Sequence, residues 1–121
     1  HFIEKYGLVG DVKNMKNIKI MSLIDYSSFI YLLANCKYLV TDGGSIQEES
    51  LVFKKPCIIL RKETERQEGL FTGINFLTGL NVNYAQKIID EIESNNFKIK
   101  KFKNPYGNKG LSREIISYLL R

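Results

Sequence analysis

Residues 39–69 read L-V-T-D-G-G-S-I-Q-E-E-S-L-V-F-K-K-P-C-I-I-L-R-K-E-T-E-R-Q-E-G. A short apolar run ends in an acid and two glycines, and Ser45 then opens a helical pattern. A second apolar run follows and ends in a charged cluster from Arg61 to Glu68. Two strands that each feed a polar loop onto the same edge of a parallel sheet make a ligand cleft, because that edge collects loops and helix N-termini. The stretch therefore predicts a β-α-β unit with its chemistry at one end.

Outward from that unit the alternation of strands and helices continues. Residues 1–7 read as the tail of a helix, with Phe2, Ile3 and Tyr6 on one face and Gly7 as its stop. Residues 11–17 form a polar connector, and residues 18–23 alternate apolar and polar as a strand does. Residues 26–34 carry helical spacing at Phe29, Ile30, Leu32 and Leu33, with Ser27 or Ser28 as the N-cap. The pattern then predicts a strand over 37–41, a helix over 45–53, a strand over 56–60 and a further strand over 75–78. Residues 84–92 make an amphipathic helix with Ile88, Ile89 and Ile92 inward. Residues 97–110 are irregular around Asn104-Pro105, and 111–120 form the last helix, capped by Ser112. This order predicts a Rossmann-like, three-layer α/β domain, a parallel sheet covered by helices on both faces.

A chain of 121 residues, 44% of them hydrophobic, fits one domain spanning 1–121 with a core that needs no disulfide. Cys36 and Cys57 fall in an apolar helix pattern and an apolar strand pattern, as reduced core residues do, and no metal site is expected from them. No apolar stretch approaches the roughly 20 residues of a membrane span, and no N-terminal signal pattern appears, which fits a cytoplasmic protein without a membrane partner. The net charge of +5 lies largely in Lys98, Lys100, Lys101 and Lys103. That cluster reads as a solvated edge. A nucleic-acid stripe would need exposed aromatics between the lysines, and only Phe97, Phe102 and Tyr106 offer them.

Two loops carry chemistry. In Asp42-Gly43-Gly44-Ser45 the glycines allow a sharp turn and let a phosphate approach backbone N–H groups, with the positive end of the following helix dipole favouring an anion. Ser45 and Glu48 also have capping-box spacing, so Glu48 is placed to hold the Ser45 amide, whereas the cap leaves Glu49 unexplained. The run from Arg61 to Gly69 is either a solvated loop of compensating charges or, leaving the neighbouring strand on the same sheet edge, the source of an arginine contact to a diphosphate.

The wording of these loops resembles the UDP-N-acetylglucosamine 2-epimerase family. The likeness rests on L-I-D-Y-S-S-F-I-Y-L-L-A-N-C (residues 23–36), T-D-G-G-S-I-Q-E-E, K-P-C-I-I-L-R-K-E-T-E-R-Q-E and N-P-Y-G-N-K-G (residues 104–110), in the family's order and spacing. It implies a GT-B architecture of two Rossmann-like domains with the active site between them. This chain would be the C-terminal, nucleotide-binding domain, with the N-terminal domain absent.

By that resemblance Gly43, Gly44 and Ser45 cradle the diphosphate of a UDP-sugar, Glu49 accepts from the ribose hydroxyls and Arg66 neutralises phosphate charge. Phe29 takes the aromatic position beside the uracil; read from the sequence alone it is equally a core residue of its helix. The family's commonest wording has Ser where Gly43 stands and Pro where Gln67 stands. The implied reaction is epimerisation at C2 of the sugar, by elimination and re-addition of UDP, with no redox cofactor and no metal, in cell-surface polysaccharide biosynthesis. The acids and bases that act on C2 belong chiefly to the absent half, and His1 falls too late to be the family's H-P-x-T histidine.

Alternative readings are a hydrolysing UDP-sugar 2-epimerase and a noncatalytic nucleotide-sugar-binding domain. The last helix, with Leu111, Ile115, Ile116, Leu119 and Leu120, is expected to pack on its own sheet or to drive self-association into a homodimer.

Overall fold

A computed structural model of the chain describes residues 2–94, 97–107 and 110–120. The chain divides into two compact units, His1–Ile30 and Tyr31–Arg121.

In the first unit, α1 (Phe2–Lys5) and α2 (Val9–Lys13) are separated by Gly7, whose φ of 69° ends the first helix. The side chains of Phe2 and Ile3 lie outside the described residues, so the expected apolar face with Tyr6 does too. Helix α2 occupies part of the expected polar connector, because Val9 and Val12 recur at helical spacing across the glycine stop. Residues 18–23 form no strand, since no ladder partner pairs with them among the described residues. Alternation alone does not make a strand; a hydrogen-bonded neighbour does. Helix α3 (Tyr26–Asn35) begins one residue after Asp25, and Asp25 is its cap rather than Ser27 or Ser28. The Asp25 carboxylate accepts from the Ser28 backbone N–H at 3.0 Å and from the Ser28 hydroxyl at 2.7 Å. A serine three residues into a helix is a donor for the cap; the acceptor must precede the first turn.

The second unit holds a parallel sheet of β1 (Leu39–Thr41), β2 (Cys57–Ile59) and β3 (Asn75–Leu77), in the order β1-β2-β3. Leu39 pairs with Cys57 and Cys57 with Asn75, so Val40, Ile58 and Phe76 stand in one row across the sheet. Side chains alternate between faces along a strand. Ile58 packs on Ala85, Ile88 and Ile92 of α6 (Val82–Glu93), with Tyr38, Phe76, Ile89 and Phe97 around them. Cys57 and Asn75 face the other way, and Asn75 Oδ1 accepts from the Ser50 hydroxyl of α4 (Gly44–Phe53) at 3.1 Å. Helices therefore cover both faces of β2, which is why Cys57, Ile58 and Ile59 are all fully buried. Each such aliphatic side chain contributes about 1.5–3 kcal/mol of burial. Burial also pushes the Cys57 thiol up to about 12, so it stays neutral and serves as a core residue.

Helix α6 starts at Asn81, whose side chain accepts the Tyr84 N–H at 3.0 Å. Phe97 meets Phe76 edge-on at 5.9 Å between centroids, and Phe97, Phe102 and Tyr106 are all half-buried while the lysines between them are exposed. The basic cluster is thus a solvated edge backed by inward aromatics.

Helix α7 (Leu111–Leu119) departs from expectation at its start. Gly110, at φ 101°, stands at its N-cap and its carbonyl accepts from Arg113 and Glu114, so Ser112 lies inside the first turn. No residue of α7 is buried, and Ile115 and Ile116 remain half-exposed. It does not pack on its own sheet.

Candidate functional site

The parallel register brings the chain out of β1 and β2 at the same edge. Thr41 ends β1, and its Oγ1 accepts the Gly43 N–H at 3.0 Å, turning the chain into α4. Gly43 is the N-cap in an extended conformation (φ −79°, ψ 140°) with no side chain capping the helix. The first-turn N–H groups of α4 have no intrahelical partner and point out of the sheet edge, an anion-attracting arrangement.

Neither Gly43 nor Gly44 has a positive φ. The glycines are not held here by an unusual turn, but a Cβ at either would be crowded. A Cβ on Gly43 would stand 3.3 Å from both Ile46 Cδ1 and Thr41 Oγ1, and one on Gly44 would stand 3.1 Å from Glu65 Oε1.

The last distance shows where the second loop goes: residues 61–66, leaving β2, lie over the first turn of α4. Arg61 pairs with Glu65 at 3.1 Å, and Arg66 pairs with Glu48. The Glu65 carboxyl is held below the usual range, first by its own backbone N–H, against the opposing effect of burial, and then by Arg61 and Arg66. Glu48 therefore does not hold the Ser45 amide as the capping-box spacing predicted. With Gly43 at the cap, Ser45 is the second helical residue and its hydroxyl is not placed for capping. The charged run is also less loop-like than expected, because Gln67–Leu70 form the short helix α5.

Of the residues singled out in the sequence, Gly43, Gly44, Ser45 and Glu49 share the first two turns of α4, Ser45 exposed and Glu49 half-buried, and Arg66 lies beside that helix, its side chain paired with Glu48. Phe29 belongs to the first unit, half-buried in α3 with its ring 6.3 Å from that of Tyr26.

Sequence reasoning missed the buried polar cluster beneath the two loops. Gln47 is fully buried, and its amide donates to the Gly43 carbonyl at 3.0 Å while its Oε1 accepts from the Thr64 hydroxyl at 2.8 Å. The Thr64 oxygen in turn accepts the Arg66 backbone N–H at 3.1 Å. Asn75 donates to the Gln47 carbonyl and accepts from Ser50, tying α4 to β3. The signal was present: Gln47 and Ser50 occupy inward positions of a helix wedged against a buried strand, where polar groups must find partners. Tyr106, read in the sequence only as an aromatic among the lysines, accepts the Gly69 N–H through its hydroxyl at 2.9 Å and so braces the short helix after Arg66.

A cavity of about 320 Å³ is lined by Lys37, Lys54 and Lys55 with Cys36, Pro56 and Phe97. It lies where the chain enters β1 and β2, at the opposite end of the strands from the glycine turn.

An uncapped helix N-terminus behind a glycine turn, with the Arg61–Arg66 loop beside it at the exit edge of a parallel sheet, is an arrangement of Rossmann type. The family model described as UDP-N-acetylglucosamine 2-epimerase matches residues 6–120, and the chain belongs to that family. A UDP-N-acetylglucosamine 2-epimerase of Methanocaldococcus jannaschii is 36% identical over 97% of this chain and 31% of its own length. The Campylobacter jejuni relative is 34% identical over 89% of this chain. Among solved structures, the M. jannaschii enzyme in complex with UDP-GlcNAc and UDP superposes with a TM-score of 0.81 over 98% of this chain and 32% of that one. The Neisseria meningitidis enzyme bound to UDP-GlcNAc also gives 0.81, at 28% identity. The chain thus spans about a third of the length of these relatives, and its α/β parallel-sheet fold is that of a GT-B domain.

Proposed function

We propose that this chain is the C-terminal, UDP-binding domain of a UDP-N-acetylglucosamine 2-epimerase, acting with an N-terminal domain that closes the cleft. The observation that carries the reading is the uncapped N-terminus of α4 with the Arg61–Arg66 loop laid across it. The first-turn amides at Gly44 and Ser45 receive the diphosphate, Gly43 leaves room for it, and Arg66 adds a cation from the side. Glu49 accepts from the ribose hydroxyls, and Phe29 lies beside the uracil. The named ligands of the solved relatives support a UDP-sugar as the partner.

The chemistry assigned to the complete protein inverts C2. The C2 proton is removed as the C1–O bond to UDP breaks, leaving a glycal-like intermediate. UDP then adds back to C1 while C2 is reprotonated from the other face. This chain's share is electrostatic: dipoles and cations fixed where the leaving diphosphate gains charge lower the barrier to its departure. The groups that move the C2 proton belong to the other domain. A cytoplasmic setting and the supply of a sugar for cell-surface polysaccharide belong to the same proposal, as does a homodimer built through the exposed face of α7.

Calorimetric titration tests the binding reading. The chain alone is expected to bind UDP weakly, uridine at least tenfold more weakly still, and to turn over no UDP-N-acetylglucosamine, because half of the cleft is open to water that screens each charge contact. Equal affinity for UDP and uridine, or turnover by the chain alone, would contradict it.

A further inference from the structure

We infer that Thr64 is a positioning residue for the diphosphate site, joining its two anion-binding parts through one buried hydroxyl. The inference rests on the proposed UDP-binding reading. Arg66 and the α4 N-terminus come from different loops, separated by a whole helix and strand, yet a diphosphate contact requires both in fixed register. Their side chains do not supply that register: the Arg66–Glu48 pair is about a third exposed at each partner, 35% and 37%, and such pairs hold geometry weakly.

The buried link is different. The Gly43 carbonyl accepts from Gln47 at 3.0 Å, Gln47 Oε1 accepts from Thr64 at 2.8 Å, and Thr64 Oγ1 accepts from the Arg66 N–H at 3.1 Å. Gln47 is fully buried and Thr64 is 4% exposed. The hydroxyl both donates and accepts, and each bond is directional, so the chain runs without a break from the N-cap of α4 to the backbone of Arg66. Neighbouring bonds hold the middle: Gln47 is pinned through its carbonyl by Asn75, and Ser50 braces Asn75. A hydroxyl is required at position 64 because only that group can serve Gln47 and Arg66 together. Val there would fill the same space and break both links.

The experiment measures UDP and uridine affinities of the 121-residue chain and of Thr64→Val, Thr64→Ser and Arg66→Ala, alone and combined. Thr64→Val is expected to weaken UDP about tenfold and uridine less than twofold, while Thr64→Ser stays within about twofold of the parent for both. Thr64→Val added to Arg66→Ala is expected to cost UDP less than threefold further, because the threonine acts largely through the arginine. Should Thr64→Val not fold, Thr64→Cys carries the same comparison, since a thiol is a weak donor and acceptor of similar size. Equal losses for UDP and uridine, full additivity with Arg66→Ala, or no rescue by Ser would overturn the positioning role. If the parent prefers UDP and Thr64→Val keeps that preference, this inference alone falls; if the parent shows no preference for UDP, the binding reading falls with it.

Discussion

Glu48 reaches across to Arg66, so the carboxylate that sequence spacing assigns to the cap of α4 instead holds a guanidinium from the neighbouring loop. The pairing converts a charge that would oppose an anion at the helix N-terminus into a support for the arginine that attracts one.

Arg66→Ala is expected to weaken UDP about tenfold, roughly 1.4 kcal/mol, and uridine by less than twofold. Glu48→Gln should lower stability by no more than about 1 kcal/mol, because the pair is partly solvated. Titration calorimetry and urea unfolding measure the two effects. Equal losses for both ligands on removing Arg66 would place it outside the phosphate site.

The turn after Arg66 depends on a close fit. A Cβ on Gly69 would stand 3.0 Å from Asn75 Nδ2 and 3.1 Å from the Tyr106 oxygen. Asn75 cannot retreat without giving up its bond to the Gln47 carbonyl. Gly69→Ala is expected to destabilise the chain by about 1–3 kcal/mol, overpacking outweighing the better helix propensity of alanine. Tyr106→Phe, which leaves the Gly69 N–H only its longer bond to the Arg66 carbonyl at 3.2 Å, should cost about 1 kcal/mol. Chemical unfolding followed by circular dichroism checks both, and an unchanged midpoint in either variant would contradict the packing described.

Strong local patterns made much of this fold readable from the sequence. The runs at Leu39–Thr41, Cys57–Ile59 and Asn75–Leu77 are strands, they are parallel, and the expected helix separates the first two; the short helix α5 between the second and third is not legible in the charged run. The position of the glycine turn at a helix start was equally legible, because glycine and a following apolar period mark it directly. What could not be read depends on partners distant in sequence. Residues 18–23 alternate like a strand yet meet no ladder. Thr64 hides within a charged run and is buried, because its partner Gln47 lies 17 residues earlier on another element. Glu48 satisfied a local rule and obeyed a tertiary one. At α3 and α7 the error was local: Asp25 outcompetes the serines as an acceptor, and Gly110 enters its helix from a left-handed conformation.

Glu49→Gln separates the ribose from the phosphate. If Glu49 accepts both ribose hydroxyls, the parent should favour UDP over 2′-deoxy-UDP, and the variant should lose most of that preference. A charge-assisted bond is worth about 1.5–3 kcal/mol in a protected site and less in an open one. The fold should persist, since Glu49 does not cap α4. An unchanged UDP to deoxy-UDP ratio would leave Glu49 as an ordinary helix residue.

Acid should loosen the start of α3. The Ser28 hydroxyl, then the Ser28 N–H, hold the Asp25 carboxyl below its ordinary value of 3.8. Because the folded value is depressed, the cap's contribution is complete above about pH 4 and is lost as pH falls through the folded value. Ser28→Ala removes the largest cause, so the Asp25 titration observed by carbon-detected NMR should move up towards 3.8. A midpoint that does not move would mean the serine hydroxyl is not its partner in solution.

The central claim is that the N-terminus of α4 receives the diphosphate of UDP, and amide chemical shifts report on that helix directly. On titration of the isotopically labelled chain, UDP should shift the N–H resonances of Gly44, Ser45 and Ile46 and that of Arg66 more than any others, and uridine should leave those four nearly unmoved. Largest shifts at Lys37, Lys54 and Lys55, around the cavity at the opposite end of the strands, or identical patterns for UDP and uridine, would contradict the account.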